Sequence, residues 1–341
     1  MRRPRPQNTG RPATVITMSA NPNFPANLDI KPLRVDGDNL AFDEASQAEA
    51  IRKYGIAGRV WEAANALKAY IEGTSDLEFD PPFLQTKDQP ALLLELGSGM
   101  GVVASAIARH LTQTKFILFV TDLPDVCPLL EKNLANVIRH ISTVPASSHP
   151  AGSVLVRPLE WGNEQHVSQI TNELSRLSPH SHYLTHIICS DLVYFPELLA
   201  PLLRALIHVT SPPLTPPHGS GHLPKVIISY KIRSLSKETA FWSAFGLWFS
   251  FDPVLIRSCH QTEDDNDDAD GDSSPSGLWT RFGASGDGDV FVFVATRRME
   301  SFDWVVPSAD KDLLEGVGAR GSNTRKGDDT FEQLLLMRLD I

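Results

Sequence analysis

Short apolar runs alternate with segments of helical periodicity along the chain. Apolar runs predict five strands, over residues 92–96, 116–120, 154–159, 186–190 and 226–229. Apolar residues at helical spacing predict helices over 102–111, 124–137, 165–177, 196–209 and 236–248. Within 196–209, Pro201 predicts a helix that starts near it rather than before it. This alternation predicts an α/β fold with a mostly parallel sheet covered on both faces.

Two further apolar runs, 249–256 and 290–295, follow without room for a regular helix between them. They predict an antiparallel terminal hairpin joined by a long loop. We therefore expect a flexible N-terminal arm over 1–40 and one domain over 41–300, with a disordered acidic insert over 261–287. A helix near 42–54 would lead into the domain. A charged tail covers 301–341 and is helical at 331–339.

The acidic insert accounts for most of the net charge of −10. Seven acids stand together, and without them the net charge is −3; they are Glu263, Asp264, Asp265, Asp267, Asp268, Asp270 and Asp272. With Gly271 as the central glycine of a calcium loop, the twelfth position is Gly277 instead of a glutamate, which excludes that loop. We expect a solvated segment, and no nucleic-acid partner because no basic patch with interleaved aromatics is present.

Composition limits the compartment and the class of protein. The chain has 341 residues and 42% hydrophobic content, and no stretch approaches the roughly 20 apolar residues of a membrane helix. Cys127, Cys189 and Cys259 form no close pair, which fits a reducing compartment. The first 28 residues carry four arginines and no acid, as a mitochondrial transit peptide would, but five prolines oppose its amphipathic helix. We expect a cytoplasmic or nuclear monomer with no membrane partner.

A glycine-rich turn follows the strand predicted at 92–96. Gly97, Gly99 and Gly101 are spaced G-x-G-x-G, whereas a dinucleotide fingerprint has G-x-G-x-x-G. Glycines here let the backbone approach a ligand closely. The next predicted strand ends at Asp122, whose carboxylate can accept both hydroxyls of a ribose. The pattern favours an S-adenosylmethionine (AdoMet) site over a dinucleotide site or a turn without a ligand. Residues elsewhere in the chain must distinguish among these three alternatives.

Aromatic and acidic residues mark other predicted strand ends. Trp61 opens a helix, and Trp161 follows the third strand; each is either a core residue or a stacking partner for a ligand. Asp191 and Tyr194 follow the fourth strand, at the switch point of the sheet. There Asp191 could cap the next helix or hold an amine, and Tyr194 could form a wall with a polar tip.

Together these motifs resemble the non-histone protein lysine methyltransferases of the seven-strand class, methyltransferase family 16. The resemblance covers roughly residues 50–300 and rests on Val60-Trp-Glu-Ala-Ala, Glu95-Leu-Gly-Ser-Gly, Thr121-Asp-Leu-Pro, Pro158-Leu-Glu-Trp-Gly and Ser190-Asp-Leu-Val-Tyr-Phe. It implies a Rossmann-like seven-strand sheet and AdoMet as cofactor. It also implies a protein substrate from the chaperones, AAA ATPases or translation elongation factors. By the same resemblance the cofactor contacts are Trp61, Gly97, Ser98, Gly99, Asp122, Trp161 and Ser190, while Asp191 and Tyr194 lie near the acceptor.

The implied reaction needs no metal. The lysine must lose a proton, which from a pKa near 10.4 costs about 4.6 kcal/mol at pH 7. A carboxylate favours the charged ammonium, so our hypothesis is that Asp191 captures and aligns the lysine instead of acting as a strong base. A small-molecule or RNA methyltransferase, or a cofactor-binding module without activity, are the alternatives.

Overall fold

The computed structural model describes residues 21–25, 28–35, 40–84, 90–143, 152–179, 183–217, 222–259, 278–283 and 290–336. In chain order its strands are β1 (Leu77–Asp80), β2 (Ala91–Leu96), β3 (Phe116–Asp122), β4 (Gly152–Pro158), β5 (His186–Ser190), β6 (Lys225–Lys231), β7 (Phe249–Pro253), β8 (Leu255–Ser258), β9 (Thr280–Arg281) and β10 (Val290–Arg297). Its α-helices are α1 (Glu44–Tyr54), α2 (Ala63–Glu72), α3 (Val102–His110), α4 (Cys127–Thr143), α5 (Glu164–Leu177), α6 (Pro196–Val209), α7 (Leu235–Trp248), α8 (Asp310–Leu314) and α9 (Thr330–Leu336).

Seven strands form one sheet in the order β4-β3-β2-β5-β6-β10-β7. The pairs from β4 to β6 are parallel, and β10 runs antiparallel to both β6 and β7. The predicted fold class, a mostly parallel seven-strand sheet with an antiparallel terminal hairpin, is confirmed. Since β2 lies inside the sheet, as its third strand, and all six of its residues are buried, the turn that follows it is anchored in the core.

A second, small antiparallel sheet, β1-β8-β9, was not predicted. The strand expected over 249–256 is two strands, because β7 ends at Pro253 and the following strand, β8, pairs with β1. The prediction for the helix at Pro201 was also wrong. This helix, α6, begins at Pro196 and contains Pro201, whose missing N–H removes only one bond in the second turn.

The core has two parts, one on each face of the seven-strand sheet. Alternate residues of β2 face opposite sides, so Leu94 packs with α6 and α7, whereas Leu93 packs with α2, α3 and α4. Full burial of such a side chain contributes about 1.5–3 kcal/mol. The large apolar area on both faces fixes the sheet, and the sheet fixes the loops at its carboxyl edge.

Described segments that lie before and after the sheet in the chain also pack on the domain. At the N-terminal side Asn23 accepts a hydrogen bond from the Ile56 amide. In the tail Phe331 is buried and stacks on Trp242 at 4.8 Å between ring centroids. The predicted tail helix is α9, and its expected last residues lie outside the described residues, as do residues 1–20 and the whole acidic run. The division into arm, domain and tail stays a prediction.

None of the helices that the structure describes is both long enough and apolar enough to span a membrane.

Candidate active site

A cavity of about 430 Å³ opens at the carboxyl edge of the parallel strands. Ligands bind at this edge in open α/β sheets, and the volume is in the range of small-molecule sites. All nine residues proposed from the sequence line it: Trp61, Gly97, Ser98, Gly99, Asp122, Trp161, Ser190, Asp191 and Tyr194. The structure therefore brings together residues that are up to 133 positions apart in the chain.

The glycine-rich turn forms the floor between β2 and α3. Gly97 and Gly99 have φ values of +57° and +53°, which disfavour any residue with a side chain. A Cβ at Gly97 would also lie 2.8 Å from Leu192 and 3.1 Å from Trp161. The turn is held from below, because the Ser98 amide donates to the Thr121 carbonyl at 3.0 Å. The glycine conformations and this hydrogen bond thus define a backbone cradle.

Asp122 braces the same turn from the end of β3. Its carboxylate accepts the Gly99 amide at 2.8 Å through one oxygen and the Leu123 amide at 2.8 Å through the other. Burial nevertheless raises the pKa of Asp122 to about 6. At neutral pH it is an ionised acceptor at the cavity wall, which suits the hydroxyls of a ribose.

Glu95 is a second buried carboxyl group in the cavity wall, two residues before Gly97. Burial raises its pKa to about 8, and the neighbouring Asp122 charge adds to this shift. The two carboxyl groups therefore differ at pH 7, where Glu95 is neutral and Asp122 is charged.

Neither cavity tryptophan is a fully buried core residue. Trp61 lies in the loop before α2, where its indole Nε1 donates to the Ile56 carbonyl at 3.1 Å. The Arg59 guanidinium carbon lies 4.4 Å from the centre of the Trp61 ring. Trp161 is half-buried on the loop after β4. Both rings thus expose part of their surface to the cavity, where a ligand ring could pack.

Asp191 does not cap α6, because the N-cap position of that helix is Phe195. It has φ +61°, an uncommon conformation for a residue with a side chain, and its amide donates to the Ser229 carbonyl at 2.7 Å. Its side chain is fully buried and bound by Arg233. Tyr194 lines the cavity nearby, and burial raises the pKa of its phenol, which stays protonated at neutral pH.

Three residues in or beside the cavity wall were missed from the sequence. Arg233, after β6, donates to both Asp191 oxygens at 2.6 and 2.5 Å and to Glu62 at 3.1 Å. Although burial opposes it, bonds from Arg59 and the charge of Arg233 lower the pKa of Glu62 to about 2. Asn23 lines the cavity from the proline-rich N-terminal segment. Long sequence separations and a context typical of disorder explain why no pattern identified these residues.

The lining fits an adenosyl cofactor with polar substituents. Of the buried polar atoms that lack a hydrogen-bond partner among the described residues, three belong to residues that line the cavity: Ser98 Oγ, Glu95 Oε2 and Asn23 Nδ2. Although burial raises the pKa of Glu95, the Ser98 side chain is near enough to its carboxyl group to lower that pKa in part. The three residues lie in the walls of a cavity whose floor is backbone and whose sides include two aromatic rings. Such unpartnered donors and acceptors are what a polar ligand would satisfy.

Comparisons with known proteins identify the family at the sequence level. A family model described as lysine methyltransferase matches residues 43–245, more than half of the chain. EEF1A lysine methyltransferase 3 of mouse (Mus musculus) is 28% identical over 171 residues; the match covers 50% of this chain and 56% of that protein. The chain therefore spans little more than half the length of this relative.

Solved structures of methyltransferases are also similar. A precorrin-6y C5,15-methyltransferase from Geobacter metallireducens is 8% identical, covering 77% of this chain and 94% of its own, with a TM-score of 0.30. The mitomycin 7-O-methyltransferase is 9% identical, covering 69% of this chain and 54% of its own, with a TM-score of 0.35.

Proposed function

The chain belongs to the lysine methyltransferase family, and on this basis we propose that it transfers methyl groups from AdoMet to a lysine side chain of a non-histone protein. One observation carries the proposal. A single cavity has the glycine turn with Asp122 in one part of its wall and Asp191 with Tyr194 in another. Cofactor and acceptor would therefore meet within it, as a direct transfer requires.

The cofactor side of the cavity would be formed by the residues proposed from the sequence. The amides and hydroxyl of the turn would take polar groups of AdoMet, Asp122 its ribose hydroxyls, and Trp61 and Trp161 its flat or apolar parts. Ser190, at the end of β5, would complete this wall. When bound, AdoMet supplies a methyl carbon that the lysine nitrogen attacks while the carbon–sulfur bond breaks, its electrons remaining on sulfur.

The acceptor side must deliver a neutral amine. Deprotonation of a free lysine costs about 4.6 kcal/mol at pH 7, and the proton goes to solvent before transfer. Burial in the cavity lowers this cost because it disfavours the charged form. We propose that Tyr194 forms a wall for the lysine stem and that Asp191 lies in the wall of the cavity near the amine.

A translation elongation factor is our first proposed substrate, since the mouse relative is named for EEF1A. Chaperones and AAA ATPases are the other members of the proposed substrate class. We further propose that the protein acts as a monomer in the cytoplasm or nucleus, without nucleic acid or membrane partners.

The proposal is tested by incubating the purified protein with methyl-labelled AdoMet and an extract of its own cells. We expect a labelled protein band that resists nuclease and is lost on protease treatment. The Asp122→Asn variant, which removes the proposed ribose acceptor, should abolish most of the label. Label in RNA or in small molecules would overturn the proposal in favour of the alternative substrates. AdoMet binding without any label would favour a module without activity.

A further inference from the structure

The Asp191 carboxylate is already paired with a cation of this chain. The Arg233 guanidinium binds it through two parallel hydrogen bonds of 2.6 and 2.5 Å, one to each oxygen. The same guanidinium donates to the Lys231 carbonyl at 3.1 Å and to Glu62 at 3.1 Å. Its carbon lies 5.2 Å from the centre of the Trp61 ring. Arg233 is therefore held from four sides at the cavity wall.

This geometry opposes exchange of Arg233 for a substrate lysine. A lysine ammonium is a point charge, whereas the planar guanidinium matches both carboxylate oxygens at once. An entering lysine would also have to break the bonds to Glu62 and Lys231. The hypothesis that Asp191 itself captures the ammonium would therefore require loss of the best-formed ion pair of the site.

We propose that Arg233 is a positioning residue for methyl transfer, which keeps the Asp191 carboxylate neutralised so that the acceptor lysine enters and stays as an uncharged amine. This inference rests on the proposed lysine methyltransferase function. It resolves a conflict at the acceptor side, where a bare carboxylate would stabilise the unreactive ammonium.

Other charged groups surround the Asp191–Arg233 pair and contribute to the net charge near the acceptor lysine. Glu62 is compensated by Arg59, whose guanidinium bonds it at 2.8 and 3.2 Å. Glu238 accepts hydrogen bonds from Tyr230 and from the Ser234 amide and lies on the α7 side of the cavity. The remaining charged or titratable groups of the cavity wall are Glu95, Asp122, Glu160, Tyr194 and Lys237, with Glu197 beside Tyr194. Among the cationic side chains that the structure describes, only that of Arg233 pairs with Asp191. The backbone amide of Lys231 also donates to Asp191, at 3.3 Å.

The experiment uses the acceptor protein that the extract assay labels, purified and supplied at saturating concentration. The pH dependence of kcat is measured because, under saturation, it reports groups in the enzyme–substrate complex. On the acid limb of this profile, kcat falls with decreasing pH because the bound lysine becomes protonated. We expect Arg233→Gln to move this acid limb upward by about one pH unit or more, since the variant leaves the charge of Asp191 uncompensated and so raises the pKa of the lysine. At pH 7, below the limb, kcat then falls about tenfold, and it recovers at high pH.

Asp191→Asn should do the opposite. It leaves the Arg233 charge uncompensated beside the amine, so the limb moves downward and kcat rises below it. The hypothesis of ammonium capture expects slower turnover instead. The double variant Asp191→Asn/Arg233→Gln removes both charges and should return the limb close to its wild-type position.

Arg59→Gln is the matched control. Arg59 also contacts Glu62 and Trp61, but its described contacts do not include Asp191. We expect its acid limb to move less than that of Arg233→Gln, whatever its rate, because the charge that it removes does not pair with Asp191. AdoMet affinity and thermal melting of every variant show which ones fold. If Arg233→Gln does not fold, Asp191→Asn and the double variant still decide.

Three results would overturn the inference. The first is that Arg233→Gln lowers kcat by the same factor at every pH. The second is that Arg59→Gln shifts the acid limb as far as Arg233→Gln does. The third is that Asp191→Asn leaves the acid limb at its wild-type pH. A protein that labels no lysine at all would instead refute the proposed function, so the two failures are distinguishable.

Discussion

Two neighbouring buried carboxyl groups should respond to the same chemical change to very different extents. Asp122→Asn and Glu95→Gln each replace one oxygen of a carboxyl group by NH₂ with little change in shape. Burial raises the pKa of both, to about 6 for Asp122 and about 8 for Glu95. At pH 7 the first change removes a charge, whereas the second replaces a neutral acid by a neutral amide.

The size of the Asp122→Asn effect follows from its hydrogen bonds. Each carboxylate oxygen accepts one backbone N–H at 2.8 Å, from Gly99 and from Leu123. An asparagine has one acceptor oxygen, so its NH₂ must face an N–H of the turn or a ribose hydroxyl. A hydrogen bond to a charged group contributes about 1.5–3 kcal/mol. Loss of one such bond weakens AdoMet binding by about 10- to 150-fold.

Glu95→Gln should change AdoMet affinity less than about threefold at pH 7, because the amide keeps the shape and neutrality of the protonated acid. Its melting temperature at pH 7 should not fall. In the wild type, Glu95 takes up a proton on folding between about pH 4.5 and 8, so its contribution to stability decreases as pH rises through this window. The glutamine variant should lose that dependence.

Isothermal titration calorimetry with AdoMet at pH 7 and at pH 5 separates the two groups. In the wild type and in Glu95→Gln, affinity should weaken as pH falls through about 6, since Asp122 must be ionised to accept the ribose. Asp122→Asn should lack this dependence. Equal losses of affinity in both variants, or full affinity in Asp122→Asn, would refute the assignment of the two charge states.

Other parts of the structure lead to three further expectations. Gly97→Ala should weaken AdoMet binding at least tenfold, because the residue has φ +57° and its new Cβ would lie 2.8 Å from Leu192. Titration with AdoMet measures this affinity, and an unchanged value would contradict the proposed role of the turn as a cradle for the cofactor. Phe331→Ala should lower the free energy of unfolding by about 3–5 kcal/mol through loss of its stacking on Trp242. Urea unfolding measures this change, and a decrease below about 1 kcal/mol would mean that the tail is not part of the core. Asn23→Ala should weaken AdoMet binding about threefold to tenfold without lowering the melting temperature, since Asn23 lines the cavity and its buried Nδ2 has no hydrogen-bond partner among the described residues. A lower melting temperature with unchanged affinity would assign it a purely structural role.

The sheet and the glycine-turn side of the cavity were predictable because their signals are local. The apolar run of β2, the glycine spacing after it and the carboxylate at the end of β3 each lie within a few residues. Parallel strands bring their carboxyl ends to one edge, so these local signals were enough to place Gly97 and Asp122 side by side.

Features that depend on distant pairing were not predictable. Arg233 contacts Asp191 across 42 positions and Glu62 across 171. Similarly, β8 leaves the main sheet to pair with β1, far earlier in the chain. A single arginine after the apolar run of β6 gives no periodic signal. Strands of two to four residues, such as β1, β8 and β9, have too few positions to show alternation.

Acid hydrolysis of the labelled protein band, followed by chromatography against methylated amino-acid standards, tests the central claim most directly. We expect the label to co-elute with Nε-methylated lysine and to be strongly reduced when Asp122→Asn is used. Label that co-elutes with methylated arginine or histidine, or that is released by mild alkali as from a carboxyl ester, would contradict a lysine methyltransferase.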